Sequence, residues 1–203
     1  TDGGCKDTVI NEVIINPVPI VTIAGIDTCL NDETSFTNST IPQDNPIANW
    51  NWDLGDGSSA SNITTTHTYS NYGIYTVTLT ATTDSGCVAS GSTNIEVFPN
   101  PEPAFALQVA EGCAPHQVYF LDESTISTGA LDQYFWDLGD GTTSASPNPV
   151  NTYQDSGYYD ISLSVTSAEG CNTEIFVSNA VRSNITPVAE FTIKEDRLSL
   201  LDA

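Results

Sequence analysis

The sequence predicts an all-β protein made of two tandem sandwich modules, and three observations carry this prediction. A step of 84 residues maps Trp52-Asp53-Leu54-Gly55-Asp56-Gly57 onto Trp136-Asp137-Leu138-Gly139-Asp140-Gly141, and a fixed step is the signature of repeated modules. Apolar and polar residues alternate after each copy, which is the period of a half-buried strand. Gly, Asn, Asp and Pro separate the alternating segments, as turns do in an all-β sandwich.

The repeat also sets the expected module boundaries. The same step relates Cys29 to Cys113, Phe36 to Phe120, Tyr69 to Tyr153, Tyr75 to Tyr159, and Cys87 to Cys171. We expect complete modules at 19–102 and 103–186, the last strand of a preceding module at 1–18, and the first strands of a following, truncated module at 187–203. Asn-Pro-x-Pro segments at two junctions favour an extended connection, so a stiff head-to-tail rod is expected.

Six strands are predicted in the first module. They are placed at roughly 20–24, 33–38, 47–54, 64–69, 74–82 and 88–97. The fifth strand has the clearest pattern, because Tyr75, Val77 and Leu79 alternate with threonines. The third strand ends at Gly55-Asp56-Gly57, where glycine tolerates a positive φ and aspartate hydrogen-bonds its local backbone, so a tight turn is expected there.

The charge balance excludes several classes of partner. The chain of 203 residues has a net charge of −22 and only four Lys and Arg residues. Nucleic acids and anionic membrane surfaces require a basic footprint, so neither is an expected partner. The sequence has no apolar run long enough to span a membrane, so no membrane insertion is expected in this segment. The acidity is explained either by a solvated, self-repelling surface or by divalent-cation binding at module junctions.

The sequence contains no recognisable catalytic constellation. His67 and His116 are the only histidines, and they lie in different modules, which argues against a His-based metal site or catalytic pair. The Gly-Asp-Gly segment lies in a predicted hairpin rather than before a helix, so it is not a phosphate-binding loop. We therefore expect no enzymatic activity and no cofactor, with Ca²⁺ left as an open alternative.

The residues of the repeated motif have a structural and a functional interpretation. Trp52 and Trp136 are predicted core anchors rather than ligand-stacking residues, because the strand alternation points them inward. The motif also contains four aspartates, Asp53, Asp56, Asp137 and Asp140. They cap the turn in one interpretation and ligate Ca²⁺ in the other, with Asp56 and Asp140 as the candidate ligands.

Three motifs, in order, resemble those of the polycystic-kidney-disease (PKD) domain. They are the Trp-Asp-Leu-Gly-Asp-Gly segment, His67-Thr68-Tyr69, and Gly73-Ile74-Tyr75-Thr76-Val77-Thr78-Leu79. The second module repeats them but has Asn151 in place of His67. The resemblance implies an Ig-like, seven-stranded sandwich without catalysis of its own. The Ser-Gly-Cys and Gly-Cys-Ala-Pro segments further resemble arrays in large secreted, gliding-type surface adhesins of Bacteroidota.

The cysteines suggest disulfides and an extracellular location, because they sit at repeated positions without histidine partners. One alternative pairs Cys29 with Cys87 and Cys113 with Cys171, within each module. An Ig-like topology places these partners at opposite ends of strands roughly 25 Å long, whereas a disulfide requires Cα atoms within about 7 Å. Head-to-tail stacking brings the two kinds of turn together, which favours Cys29 with Cys171 across the junction.

Several surface positions are candidates for glycosylation. Asn38, Asn62 and Asn184 each begin an Asn-x-Ser/Thr sequon, and Thr8 lies in a short O-glycosylation pattern of the kind seen in Bacteroidota.

Three functional hypotheses follow from these observations. The leading one is a structural and adhesive array that forms a stalk or filament of a large secreted surface protein, with neighbouring modules as partners and self-association into a fibre as an option. The second is an accessory substrate-binding or spacer role beside a secreted hydrolase. That role requires exposed aromatic side chains, for which Phe135, on the face opposite Trp136, and Tyr158 are candidates. Phe135 is also a candidate contact for another module or chain, and its other interpretation is a locally covered surface residue. The third is a set of adhesion modules rigidified by Ca²⁺.

Overall fold

The computed structural model describes residues 15–191, which divide into two compact units between Asn100 and Pro101. Both units are built only of strands within the described part, and no helix there is long and apolar enough to cross a membrane. The strands expected before residue 15 and after residue 191, together with Thr8, lie outside the described residues.

The first unit is a sandwich of two sheets. The three-stranded sheet has the order β1 (Ile23–Gly25), β3 (Glu33–Asn38), β6 (Thr65–Thr68). The five-stranded sheet has the order β2 (Thr28–Cys29), β8 (Val88–Phe98), β7 (Gly73–Thr83), β4 (Ile47–Asp53), β5 (Ser59–Ala60). All neighbours are antiparallel except β2 and β8, which pair in parallel.

The second unit repeats this topology. Its three-stranded sheet has the order β14 (Val150–Tyr153), β11 (His116–Asp122), β9 (Phe105–Gln108). Its five-stranded sheet has the order β10 (Glu111–Cys113), β16 (Asn172–Asn184), β15 (Gly157–Ser167), β12 (Leu131–Asp137), β13 (Thr143–Ser144). The prediction of tandem all-β sandwich modules is therefore confirmed.

The individual strands differ from the predicted ones mainly in number and at their ends. The predicted first strand is shorter in the structure, because Ile20 forms only an isolated bridge to Ile41 and the ladder starts at Ile23. Two short strands of each module were not predicted: β2 and its equivalent β10, and β5 and its equivalent β13. They are two or three residues long, which is too short for a period-two pattern to be visible.

Each sandwich encloses one aromatic-centred core. Trp52 and Trp136 are fully buried, which is the position that the core-anchor interpretation requires. Around Trp136 lie Phe105 and Phe120, with ring centroids 5.2 and 5.5 Å from the indole in edge-on geometry. Aromatic pairs of this kind add to the stabilisation from burial alone. The alternating apolar side chains of β7 and β15 complete the two cores.

A buried tyrosine joins the two sheets of each module. The hydroxyl of Tyr69 donates to the carbonyl of Leu54 at 2.8 Å, and that of Tyr153 donates to the carbonyl of Leu138 at 2.8 Å. Burial is the main reason that the pKa of Tyr69 and that of Tyr153 are raised to about 12. The accepting carbonyls come directly before the Gly-Asp-Gly turns, so these bonds fix the turns against β6 and β14.

We expect Tyr153→Phe to lower the free energy of unfolding by about 1–3 kcal/mol, because the carbonyl of Leu138 loses its partner in a buried position. The matched control is Tyr159→Phe, which removes a hydroxyl bonded to the Asp155 carbonyl at an exposed site. Urea unfolding of both variants measures the difference. Equal losses would show that the buried bond has no special role.

Candidate functional site

The repeated Gly-Asp-Gly turn is the most strongly patterned part of each module. Oδ1 of Asp53 accepts a hydrogen bond from the Gly55 amide at 3.0 Å, and Oδ1 of Asp137 accepts one from the Gly139 amide at 3.0 Å. The first aspartate of each motif thus caps its own turn, as aspartate commonly does.

The second aspartate ties the turn to the opposite sheet. In the first module, Oδ1 of Asp56 accepts from the Ser58 amide at 2.9 Å, and Oδ2 lies 2.7 Å from Nε2 of His67 on β6. In the second module, Oδ1 of Asp140 accepts from the Thr142 amide at 3.0 Å, and Oδ2 accepts from Nδ2 of Asn151 at 2.8 Å. Both carboxylates therefore bond on both oxygens.

The substitution of His67 by Asn151 between modules now has a physical explanation. The amide nitrogen of Asn151 donates to Asp140 in the way that the imidazole Nε2 of His67 contacts Asp56. The geometry is kept, but only the histidine version can become an ion pair on protonation. The two modules consequently share one turn and differ in the side chain that contacts its second aspartate.

These contacts lower the pKa of both aspartates. Desolvation by burial is the largest influence and raises the pKa of Asp56, but hydrogen bonds from His67 and Ser58 outweigh it and hold that pKa below 3.8. Burial likewise raises the pKa of Asp140, and hydrogen bonds from Thr142 and Asn151 outweigh it. Both side chains are thus stabilised as carboxylates by donors from the protein itself.

Calcium binding by Asp56 and Asp140 stays a prediction. Among residues 15–191, no group of three or more His, Cys, Asp or Glu side chains is placed to hold a metal ion. Ca²⁺ requires six to eight oxygen ligands, and the hydrogen-bonded carboxylates would have to exchange their present donors to supply two of them.

The cysteines divide into two classes. Cys29 and Cys171 are disulfide-bonded, whereas Cys87 and Cys113 have free thiols. Cys29 pairs in register with Phe98, at the end of β8 remote from Cys87. Ten residues of strand separate these ends by roughly 33 Å, far beyond the reach of a disulfide of about 7 Å.

The same separation holds in the second module. There Cys113 lies opposite Asn184 in the β10–β16 ladder, at the last residue of β16, whereas Cys171 comes just before the first residue of β16. The sequence-based separation of 25 Å was too short, because β8 and β16 have 11 and 13 residues. The alternative pairing within modules, Cys29 with Cys87 and Cys113 with Cys171, is incompatible with this structure.

The sequons lie at defined positions, although glycosylation itself stays a prediction. Oδ1 of Asn38 accepts from the Thr40 amide at 2.9 Å and from its hydroxyl at 2.6 Å, so this sequon forms a closed turn. The Asn62 carbonyl accepts from Nε1 of Trp52 at 2.9 Å, while the buried Nε1 of Trp136 has no partner in the described chain. The carbonyl of Asn184 accepts from the Ala114 amide at 2.9 Å.

The structure adds a residue to the exposed aromatic candidates. Phe135 and Tyr158 are 54% and 62% exposed, so Phe135 is not a locally covered residue. Phe176, which the sequence analysis missed, is 63% exposed on β16. Its flanking residues Ile175 and Val177 are also apolar, so the alternation that would have shown its outward position is hidden.

Comparison with known proteins gives a match along most of the chain. The sequence profile of the PKD domain matches residues 16–97 and again residues 99–181. The two matched segments coincide with the two modules seen in the structure.

Curated relatives include two proteases. The microbial collagenase of Vibrio alginolyticus is 36% identical over 81 residues, which cover 38% of this chain and 10% of the collagenase. The pre-pro-metalloprotease PrtV of Vibrio cholerae serotype O1 is 29% identical over 142 residues, which cover 69% of this chain and 15% of PrtV. The chain thus spans no more than about a seventh of the length of these two relatives.

Solved structures of single modules also match. The PKD1 domain of Vibrio anguillarum Epp is 26% identical, covering 41% of this chain and 96% of that domain, with a TM-score of 0.39. The PKD1 domain of V. cholerae PrtV is 27% identical, covering 40% of this chain and 98% of that domain, with a TM-score of 0.38. These relatives do not support the predicted resemblance to adhesins of Bacteroidota.

We expect Gly139→Ala to destabilise the second module more than Gly141→Ala does. Both glycines have a positive φ, which costs an alanine about 1–2 kcal/mol. A Cβ at Gly139 would also collide with the Asp160 carbonyl oxygen, which adds about 1–3 kcal/mol, whereas at Gly141 it would meet nothing within 4 Å. Urea denaturation compares the two, and equal losses would refute the close approach of turn and strand.

We expect the folded state to lose stability in acid through Asp56 and Asp140. Because their folded pKa is below the unfolded value, the stabilisation is complete above about pH 5 and is lost as the pH falls through the lower, folded pKa. Asp140→Asn should flatten the fall in urea midpoint between about pH 6 and pH 2, whereas the exposed control Asp132→Asn should not. Identical acid profiles for both variants and the parent chain would contradict this.

Proposed function

Because this chain belongs to the PKD domain family, we propose that its two modules are non-catalytic spacer modules of a longer extracellular protein. The observation that carries the proposal is the use of the motif carboxylates. In both modules the carboxylate of the second motif aspartate bonds an amide of its own turn and the side chain of His67 or Asn151, and so serves the sandwich itself. A motif that acts within its module suits a mechanical element.

The context of the relatives supports a place beside a hydrolase. The curated relatives are a collagenase and a metalloprotease, and this chain matches only a small share of each. We therefore favour accessory modules of a secreted hydrolase over the adhesive stalk or filament. A stiff array of modules would serve either a hydrolase or an adhesive stalk. Fibre formation and Ca²⁺-dependent rigidity stay predictions.

We further propose that Cys29 and Cys171 are each other's disulfide partners. Three observations support this pairing: both residues are disulfide-bonded, Cys87 and Cys113 are free, and the within-module partners lie at opposite strand ends. Such a bond restricts bending between modules and removes conformations from the unfolded chain. It also fits an oxidising, extracellular location.

The pairing is tested by peptide mapping of the whole chain without reduction, after free thiols are alkylated. We expect a cross-linked peptide containing Cys29 and Cys171, with alkylated Cys87 and Cys113. Peptides that join Cys29 to Cys87 or Cys113 to Cys171 would overturn the pairing.

Small-angle X-ray scattering before and after reduction tests the spacer role. A spacer is expected to give an elongated distance distribution that broadens when the disulfide is reduced. A single globule of this length would have a radius of gyration of about 17 Å, and that value in the oxidised chain would contradict the proposal. Chelation with EDTA should leave the melting temperature unchanged; a fall of several degrees would favour Ca²⁺-rigidified modules instead.

A further inference from the structure

The outer surface of the five-stranded sheet in the second module has an unusual arrangement of aromatic and acidic residues. Six outward positions form two rows across β12, β15 and β16, here called the Phe135 face. One row is Phe135, Ser164, Glu174, and the other is Asp137, Ser162, Phe176. The intervening residues, such as Trp136, Leu163 and Ile175, point into the core.

The register fixes the geometry of this face. Strands lie about 4.8 Å apart and alternate residues about 6.6 Å apart, so the four corners form a rectangle of about 10 by 7 Å. Phe135 and Phe176 occupy one diagonal, and Asp137 and Glu174 occupy the other. The two rings are 54% and 63% exposed, and only serines lie between them, of which Ser164 accepts a hydrogen bond from Nδ2 of Asn172 at 2.7 Å.

The sandwich does not require these residues. The corresponding positions of the first module are Asn51, Thr80 and Ser90 in one row and Asp53, Thr78 and Ser92 in the other. There the face is polar, and the hydroxyls of Thr80 and Ser90 bond each other at 2.9 Å. One topology therefore presents either a polar or an aromatic surface, so Phe135 and Phe176 need an explanation outside the fold.

The same sheet shows what such a combination can hold. Near its other end, Cζ of Arg182 lies 5.5 Å from the ring centroid of Tyr158, and Nη1 lies 3.8 Å from a carboxylate oxygen of Glu111. An aromatic ring and a carboxylate thus together bind one guanidinium. The Phe135 face has two rings and two carboxylates, while Arg182 is the only Lys or Arg among residues 15–191 and is engaged elsewhere.

We propose that the Phe135 face docks a Lys- or Arg-bearing segment of a partner protein. A cation over the two serines would meet carboxylates on one diagonal and ring faces on the other, and the apolar stem of Lys or Arg would cover the rings. The charge of −22 favours a basic partner and opposes a second copy of this chain. The proposed spacer role does not depend on this face. An experiment can therefore refute the docking without refuting the spacer role, and the reverse.

The proposal is tested with the whole chain and a short fluorescein-labelled peptide of alternating Arg and Gly, at about 0.15 M salt, by fluorescence anisotropy. Phe135→Asn/Phe176→Ser installs the residues of the first module without changing charge. We expect it to weaken peptide binding about tenfold, through the loss of two cation–aromatic contacts. Its melting temperature, measured beside the parent chain, shows that the fold is kept.

Matched charge variants separate the face from the general acidity of the chain. Glu174→Gln should weaken binding about twofold to threefold, whereas Glu96→Gln, an equal change of charge on the exposed surface of the first module, should have no effect. In the Phe135→Asn/Phe176→Ser background, adding Asn51→Phe, Ser90→Glu and Ser92→Phe should transfer binding to the first module.

Three outcomes would overturn the proposal. The first is equal affinity of the parent chain and the Phe135→Asn/Phe176→Ser variant. The second is an equal loss with Glu96→Gln and Glu174→Gln, which would mean diffuse electrostatic attraction. The third is binding of cellohexaose that depends on the two phenylalanines, with no binding of the peptide, which would assign the face to a neutral polysaccharide.

Discussion

The buried hydroxyl of Tyr69, and its equivalent in Tyr153, holds the end of β4 or β12 against the opposite sheet. Each hydroxyl bonds the carbonyl just before the Gly-Asp-Gly turn, at a place from which water is excluded. An unpaired carbonyl there would carry its full desolvation cost. The position of the turn, the capping aspartates and the contact to His67 or Asn151 all depend on this bond, because each requires the turn to lie beside β6 or β14.

The close packing of the turn adds a second constraint of the same kind. Gly55 and Gly139 approach the backbone of the following long strand so closely that a side chain would not fit. The motif is therefore a set of mutually dependent backbone contacts, and its repetition follows from packing. Its carboxylates are held ionised by protein donors, which is why a low pKa at Asp56 and Asp140 does not by itself indicate a catalytic or metal site.

The inward and outward faces of the long strands have different freedom to vary. Residues that point inward keep the same character in both modules, as Leu79 and Leu163 show. Outward residues change from a threonine and serine surface in the first module to the Phe135 face in the second. Since successive side chains point to opposite sides of a strand, a new surface can arise without disturbing the core. Modules of one fold can thereby differ in what they contact.

The sequence by itself determined the fold class, the repeat and most of the strands, because period-two alternation and turn residues are local signals. It placed β3 correctly and β4, β7 and β8 to within one residue at each end. It also singled out the motif aspartates and Phe135, although it left open what they do. Tertiary structure decided the features that depend on residues distant in the chain. These are the parallel β2–β8 pairing, the matching roles of His67 and Asn151, the strand lengths that separate the cysteines within a module, and the position of Phe176 beside Glu174. Each is fixed by the register between strands, and register is a property of the packed sheet that no local pattern specifies.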